Sequence, residues 1–146
     1  MLQRGPRSWE VGLAGYLRAV CTAVGVLPGG VGRDLDPPVA YLALSRQCAR
    51  HPERGLLLVW SAEAGWELVL EHTERRPGET LARFGEPLVP EPVAVAHFVD
   101  EAVAGRREGG RPARGATSDL HELLTGYAVL VLPPKSIRAA DPDRPV

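Results

Sequence analysis

Two apolar runs joined by a short polar loop dominate the hydrophobic pattern of the chain, between Leu56 and Glu71. They predict a β-hairpin that closes Trp60 against Trp66. Leu58 then lies opposite Leu68, since antiparallel partners keep a constant sum of residue numbers. One face of this hairpin carries only large apolar side chains, namely Leu56, Leu58, Trp60, Trp66, Leu68 and Leu70.

The opposite face of the predicted hairpin is a candidate contact surface. It carries Leu57, Val59 and Val69 beside Glu67 and Glu71, so the first strand is apolar on both sides. A sheet face with few charges to solvate it usually meets another surface. We therefore expect Leu57, Val59 and Val69 to form an interface, covered by the C-terminal segment or by a protein partner. A homodimer is the simplest partner, because a two-fold axis lets one patch serve both copies.

Two further segments have the apolar spacing of helices. The first runs through Leu13–Val24, with Ser8 as its cap and Gly25 as its left-handed end. The second begins at Pro92, where a missing amide costs little, and ends at Gly105. Both helices present an apolar stripe that must be buried.

The remaining strands fix the expected fold class. Val39–Leu44 and Leu81–Phe84 read as strands, whereas the Gly- and Pro-rich stretch Pro28–Pro38 reads as a loop. The connections between consecutive strands are too short for helical crossovers, which argues against a doubly wound parallel sheet. We expect an α+β domain: an antiparallel sheet of about four strands with two main helices packed on one face, plus a short C-terminal helix and strand.

The same pattern divides the chain. Residues 1–105 form the compact core domain, and residues 106–117, rich in Gly and Arg, form a flexible linker. Residues 118–134 form a helix and strand that dock on the core or on a partner. Residues 135–146 form a disordered tail.

Composition narrows the function classes. A chain of 146 residues with 45% apolar and 24% charged residues is typical of a single globular domain without a membrane span. The N-terminus lacks the apolar core of a signal peptide, so we expect a cytoplasmic protein. Cys21 and Cys48, one on an apolar helical stripe and one in a loop, do not suggest a disulfide framework.

The sequence offers no catalytic signature. The histidines His51, His72, His97 and His121 lie in different elements, without the spacing of a metal site. The glycines near residue 30 follow a helix, whereas a phosphate-binding loop follows a strand. We therefore expect no catalytic residues, metal or cofactor, and a non-catalytic protein-interaction or regulatory module.

A small-molecule pocket is the first alternative function. It would lie between the sheet and the helices, near Tyr41, Trp60 and Trp66. Aromatic walls suit such a pocket, for a binding protein or an enzyme, although the same side chains also fill ordinary cores.

Nucleic-acid binding is the second alternative. Arg106, Arg107, Arg111 and Arg114 could bind phosphates. No aromatic residue is interleaved for base stacking, and the net charge of the chain is −1, so we expect no such binding.

Several sequence landmarks resemble a known family. They are GYLRAV at residues 15–20, AYLAL at 40–44, LVW at 58–60 and GW at 65–66, followed by a helix introduced by proline. Over roughly Trp9–Gly105 the chain resembles a family of short actinobacterial proteins known only as a domain of unknown function. The resemblance implies one compact domain in a bacterial cytoplasm, and it carries no activity or site residues.

Overall fold

The computed structural model describes residues 8–26, 31–35, 38–113 and 120–127. Its elements are α1 (Ser8–Val24), β1 (Val31–Leu35), β2 (Pro38–Leu44), β3 (Leu56–Ser61), β4 (Gly65–Leu70), β5 (Glu79–Arg83) and α2 (Pro92–Val103). Residues 120–127 form a further helix, α3. The predicted α+β class is confirmed.

The sheet is an antiparallel meander with the strand order β1-β2-β3-β4-β5. The predicted hairpin is confirmed in its exact register, with Trp60 opposite Trp66 and Leu58 opposite Leu68. Gly65 follows the turn with a φ of 79°, which glycine adopts without the steric cost of a Cβ. The register of the hairpin is therefore fixed by its turn and by its buried apolar face together.

β1 corrects the sequence reading, which took Pro28–Pro38 as a loop. Val31–Leu35 pairs with β2, from Val31 opposite Leu42 to Leu35 opposite Pro38. The sequence VGRDL has neither an apolar alternation nor high strand propensity, so local pattern does not reveal it. Its strand form comes from hydrogen bonding to β2, and the described sheet has five strands instead of about four.

The core lies between one face of the sheet and the helices. The large side chains of the predicted apolar face are fully buried there. α1 contributes Leu13, Tyr16 and Leu17, and α2 contributes Phe98 and Val99. Full burial of one such side chain contributes roughly 1.5–3 kcal/mol, so this layer accounts for most of the favourable packing. We call this the inner face of the sheet, and the opposite side the outer face.

α3 packs on α1 at very short range. Leu120 and Leu124 are buried, and a Cβ on Gly12 would lie 1.6 Å from the carbonyl oxygen of Leu124. The two backbones meet because Gly12 has no side chain. The rest of the predicted C-terminal segment, residues 128–134, and the predicted tail over 135–146 lie outside the described residues.

The described part of the flexible linker that composition predicts over residues 106–117 covers residues 106–113. Over residues 106–113 it runs along the free edge of β5, where Arg83 N donates to Gly109 O and Gly109 N donates to Leu81 O at 2.9 Å. Ala113 is buried and donates to Ala64 O at 2.8 Å. Backbone pairing to an open strand edge holds a segment that has little apolar surface of its own.

Candidate functional site

The outer face of the sheet brings the predicted interface residues together. Register places Leu57 opposite Val69, and Val59 between Tyr41 on β2 and Glu67 on β4. Tyr41 is 39% exposed, and the other three apolar side chains are half-buried between their strand neighbours. None of the described helices or strands lies over this face. Its centre is a continuous apolar surface on three strands.

One pair of opposite charges on the outer face lies on β4 and β5. Arg83 Nε on β5 donates to Glu67 Oε2 on β4 at 3.0 Å, and the two residues are cross-strand partners. The pair is satisfied within the sheet. The outward positions of β2 and β3 carry no charge: Val39, Tyr41, Ala43, Leu57, Val59 and Ser61.

The structure does not bring together the side chains of the predicted pocket near Tyr41, Trp60 and Trp66, because Tyr41 lies on the opposite face of the sheet from the two tryptophans. Trp60 and Trp66 have no exposed surface and face the helices. Tyr41 pairs with Val59 on the outer face. β2 is apolar on both sides, so its sequence does not show which alternate positions face the core. Only its pairing with β3 determines which positions face inward.

The buried aromatic cluster is a satisfied core and leaves no group for a ligand. Trp60 Nε1 donates to Leu88 O at 2.8 Å, and Trp66 Nε1 donates to the Tyr16 hydroxyl at 3.0 Å. That hydroxyl donates in turn to Pro90 O at 2.5 Å. Burial raises the pKa of Tyr16 far above its usual value, which keeps the phenol protonated. These polar atoms pair within the core, as buried polar atoms must.

A surface cleft of about 310 Å³ lies between the β2–β3 connection, β5 and the end of α2. It is lined by Cys48 and His51 together with charged side chains that already have partners in the protein. Arg50 pairs with Glu108 at 2.5 Å across the cleft, and Arg107 donates to Phe84 O at 2.9 Å. Paired, largely solvated charges give the cleft little capacity to hold a ligand.

Arg54, beside this cleft, is a buried cation that sequence reasoning missed. Its side chain is 1% exposed. Nη2 donates to Glu71 O at 2.7 Å and to Pro77 O at 2.6 Å, and Nη1 lies 3.8 Å from Glu79 Oε1. The guanidinium therefore ties the connection between β4 and β5 to the residues that precede β3. Arginine side chains are usually exposed, and none of the residues next to Arg54 in the sequence indicates that it is buried.

The arginines considered for nucleic-acid binding do not form one basic surface in the described chain. The Arg107 guanidinium lies over the rings of Phe84 and Phe98, at 5.4 and 4.9 Å from their centroids. Arg106 and Arg111 are exposed, and Arg114 lies outside the described residues. Of the four arginines, Arg107 therefore packs against aromatic side chains of the protein and does not join a basic surface.

No group of three or more His, Cys, Asp or Glu side chains in the described ranges is placed to hold a metal ion. Within those ranges, no helix has both the length and the apolar character needed to cross a membrane.

Comparison with known proteins gives one match. The model of a family described as "Family of unknown function (DUF6292)" matches residues 16–101, and the chain belongs to this family. The predicted resemblance to a domain of unknown function is thereby confirmed. No curated protein and no solved structure matches.

Proposed function

For this member of a family of unknown function, we propose a non-catalytic protein-interaction or regulatory module of a bacterial cytoplasm, with the outer face of the sheet as its contact surface. One observation carries the proposal. Tyr41, Leu57, Val59 and Val69 form a contiguous apolar surface that no described helix or strand lies over. Surfaces of this kind on small domains are typical of protein contacts.

The rest of the described chain supports a binding role without chemistry. Trp60 and Trp66, which could line a ligand pocket, are buried in the core, where the indole nitrogen of each donates to a protein acceptor. Arg50 and Glu108 of the cleft pair with each other across it, and Arg107 donates to Phe84 O. A tyrosine at the centre of an apolar face is, in contrast, a residue type enriched in protein interfaces.

Site-specific photo-crosslinking in the producing cells tests the proposal. A benzophenone amino acid replaces Tyr41 on the outer face or, as the control, Val93, which is 68% exposed on α2. We expect one adduct from position 41, identified by mass spectrometry, that disappears when Val59→Glu is added. No such adduct, or the same adduct from both positions, would contradict the proposal.

A further inference from the structure

We propose that the segment over residues 106–113 is a protective cover, which stops the edge of β5 from pairing with other copies of this chain. The inference goes beyond the proposed function, because it concerns an edge of the sheet and not its outer face. Three features of the described chain support it: the backbone groups that the segment pairs with, the conformation of its two glycines, and its anchors at both ends.

The segment pairs with the backbone groups of β5 that point away from β4. Arg83 lies opposite Glu67 of β4 on one side of β5. On the other side, Gly109 N donates to Leu81 O at 2.9 Å and Arg83 N donates to Gly109 O at 2.6 Å. Without the segment these groups would form an unpaired strand edge, which is a template for pairing with another chain. In a solution of this protein that chain is a second copy, whose β5 carries the same edge.

The two glycines let the segment cover this edge without forming a new one. In the described chain it makes one bridge to β5, between Gly109 and Ala82. The φ angles of Gly109 and Gly110 are 68° and 103°, whereas a parallel strand needs about −120°. The segment therefore leaves β5 after one bridge, while a further regular strand would present an open edge of its own. A Cβ on Gly110 would lie 2.7 Å from Arg83 O, so this path requires glycine there.

Anchors at both ends keep the segment beside β5. At its start, the Arg107 guanidinium donates to Phe84 O at 2.9 Å. At its end, Ala113 N donates to Ala64 O at 2.8 Å. A segment tethered in this way has an effective concentration of roughly 1 mM, so the edge of a second copy at about 10 µM competes with it poorly.

The segment contributes little to the core that it covers. Among its described residues only Ala113 is buried, Arg107 is half-buried, and the others are exposed. Displacing it should therefore leave the domain folded and open the edge of β5. This expectation distinguishes a protective cover from a segment that the fold requires.

Sedimentation velocity of the full chain between about 10 and 300 µM tests the inference, with Gly110→Asn as the variant that displaces the segment. Its Cβ would collide with Arg83 O, and the φ of 103° lies outside the left-handed range of asparagine. Gly109→Asn is the matched control, because its φ of 68° suits asparagine and a Cβ there meets no atom within 4 Å. At the highest concentration we expect the average mass of Gly110→Asn to be at least about 1.5-fold that of wild type, and that of Gly109→Asn to be unchanged.

Further variants identify the surface through which copies associate. Arg83→Pro removes an N–H that points to Gly109 and not to β4, so adding it to Gly110→Asn should restore the mass of wild type. Ala113→Asp places a charge at the buried end of the segment, and it is the second displacing variant should Gly110→Asn unfold. In both displacing variants the amide of Gly109 should exchange at least about tenfold faster than in wild type, while urea unfolding stays cooperative.

Association that follows displacement and that Arg83→Pro abolishes supports the inference. Fast exchange at Gly109 with the mass of wild type at every concentration overturns it, and so does association that persists in the Arg83→Pro combination. Loss of the cooperative transition in both displacing variants overturns it as well, because the fold would then require the segment. A Gly109 amide that stays fully protected in both variants also overturns it, because the position of the segment would then not depend on Gly110 or Ala113.

Discussion

Arg54 shows how much one buried charge holds in place. Its guanidinium donates to the carbonyl oxygens of Glu71 and Pro77. Arg54→Ala leaves both acceptors in a void, and we expect a loss of about 3–5 kcal/mol in the free energy of unfolding. The control is Arg50→Ala, which breaks the exposed pair with Glu108 and costs about 0–1 kcal/mol. Equal losses in urea unfolding would contradict this role.

The Tyr16 hydroxyl is the second polar group that the core depends on. Tyr16→Phe leaves Trp66 Nε1 and Pro90 O without a partner, so we expect a loss of about 1–3 kcal/mol. The control Tyr41→Phe removes an exposed hydroxyl and changes stability by less than about 0.5 kcal/mol. A loss in Tyr41→Phe as large as that in Tyr16→Phe would refute the difference.

Tyr16 also predicts a pH dependence. Because burial raises its pKa in the folded chain, its stabilising contribution is complete below the ordinary pKa of about 10 and is lost as the pH rises further. Between about pH 9 and about pH 11, wild type should lose about 1 kcal/mol more than Tyr16→Phe. Unfolding at both pH values measures this, and parallel losses would exclude the effect.

For single residues, the sequence predicts burial only where the apolar positions of a strand all lie on one face. Trp60 and Trp66 were predictable as cross-strand partners because the hairpin has a strict apolar face. Tyr41 was not, since alternate positions of β2 are apolar on both sides. Arg54 gave no signal, because its burial depends on carbonyl groups of a loop that follows 17 residues later.

Helix packing at the level of elements depends on Gly12. A methyl group there would collide with the Leu124 carbonyl, so Gly12→Ala should separate α3 from α1 although alanine favours a helix. We expect faster hydrogen exchange and proteolysis over residues 120–127. The control Gly126→Ala meets no atom within 4 Å and should stabilise α3 by up to about 1 kcal/mol. Unchanged protection in Gly12→Ala would refute the close contact.

The segment over residues 106–113 allows a direct test of the flexible linker that composition predicts. Its backbone pairs with β5 through Gly109 and with the hairpin turn through Ala113. We expect the amide protons of Gly109 and Ala113 to exchange at least about tenfold more slowly than in an unstructured peptide. Exchange at the rate of an unstructured peptide would restore the flexible linker that the sequence predicts.

Which elements were predictable follows from where their stability comes from. α1, α2 and the β3–β4 hairpin carry their own periodicity and turn residues, so local sequence was enough. β1 and the segment over residues 106–113 are held by backbone hydrogen bonds to the two edges of the sheet. Such partners are set by the assembled sheet, and no local pattern records them.

For the whole molecule, the two faces of the sheet have different roles. The inner face packs on α1 and α2 and holds its polar atoms in internal hydrogen bonds. The outer face keeps an apolar centre around Tyr41 and Val59 that the described helices leave uncovered. This uncovered apolar centre is the observation on which the proposed protein contact rests.

Carbene footprinting of wild type tests this assignment most directly, by comparing dilute purified protein with protein in the producing cells. Labelling of Tyr41, Leu57 and Val59 should fall by at least about half in cells, because a partner covers them. Val93 and Leu123, both exposed on helices, should label equally in the two samples. Equal labelling of Tyr41 and Val59 in both samples would contradict a contact on the outer face.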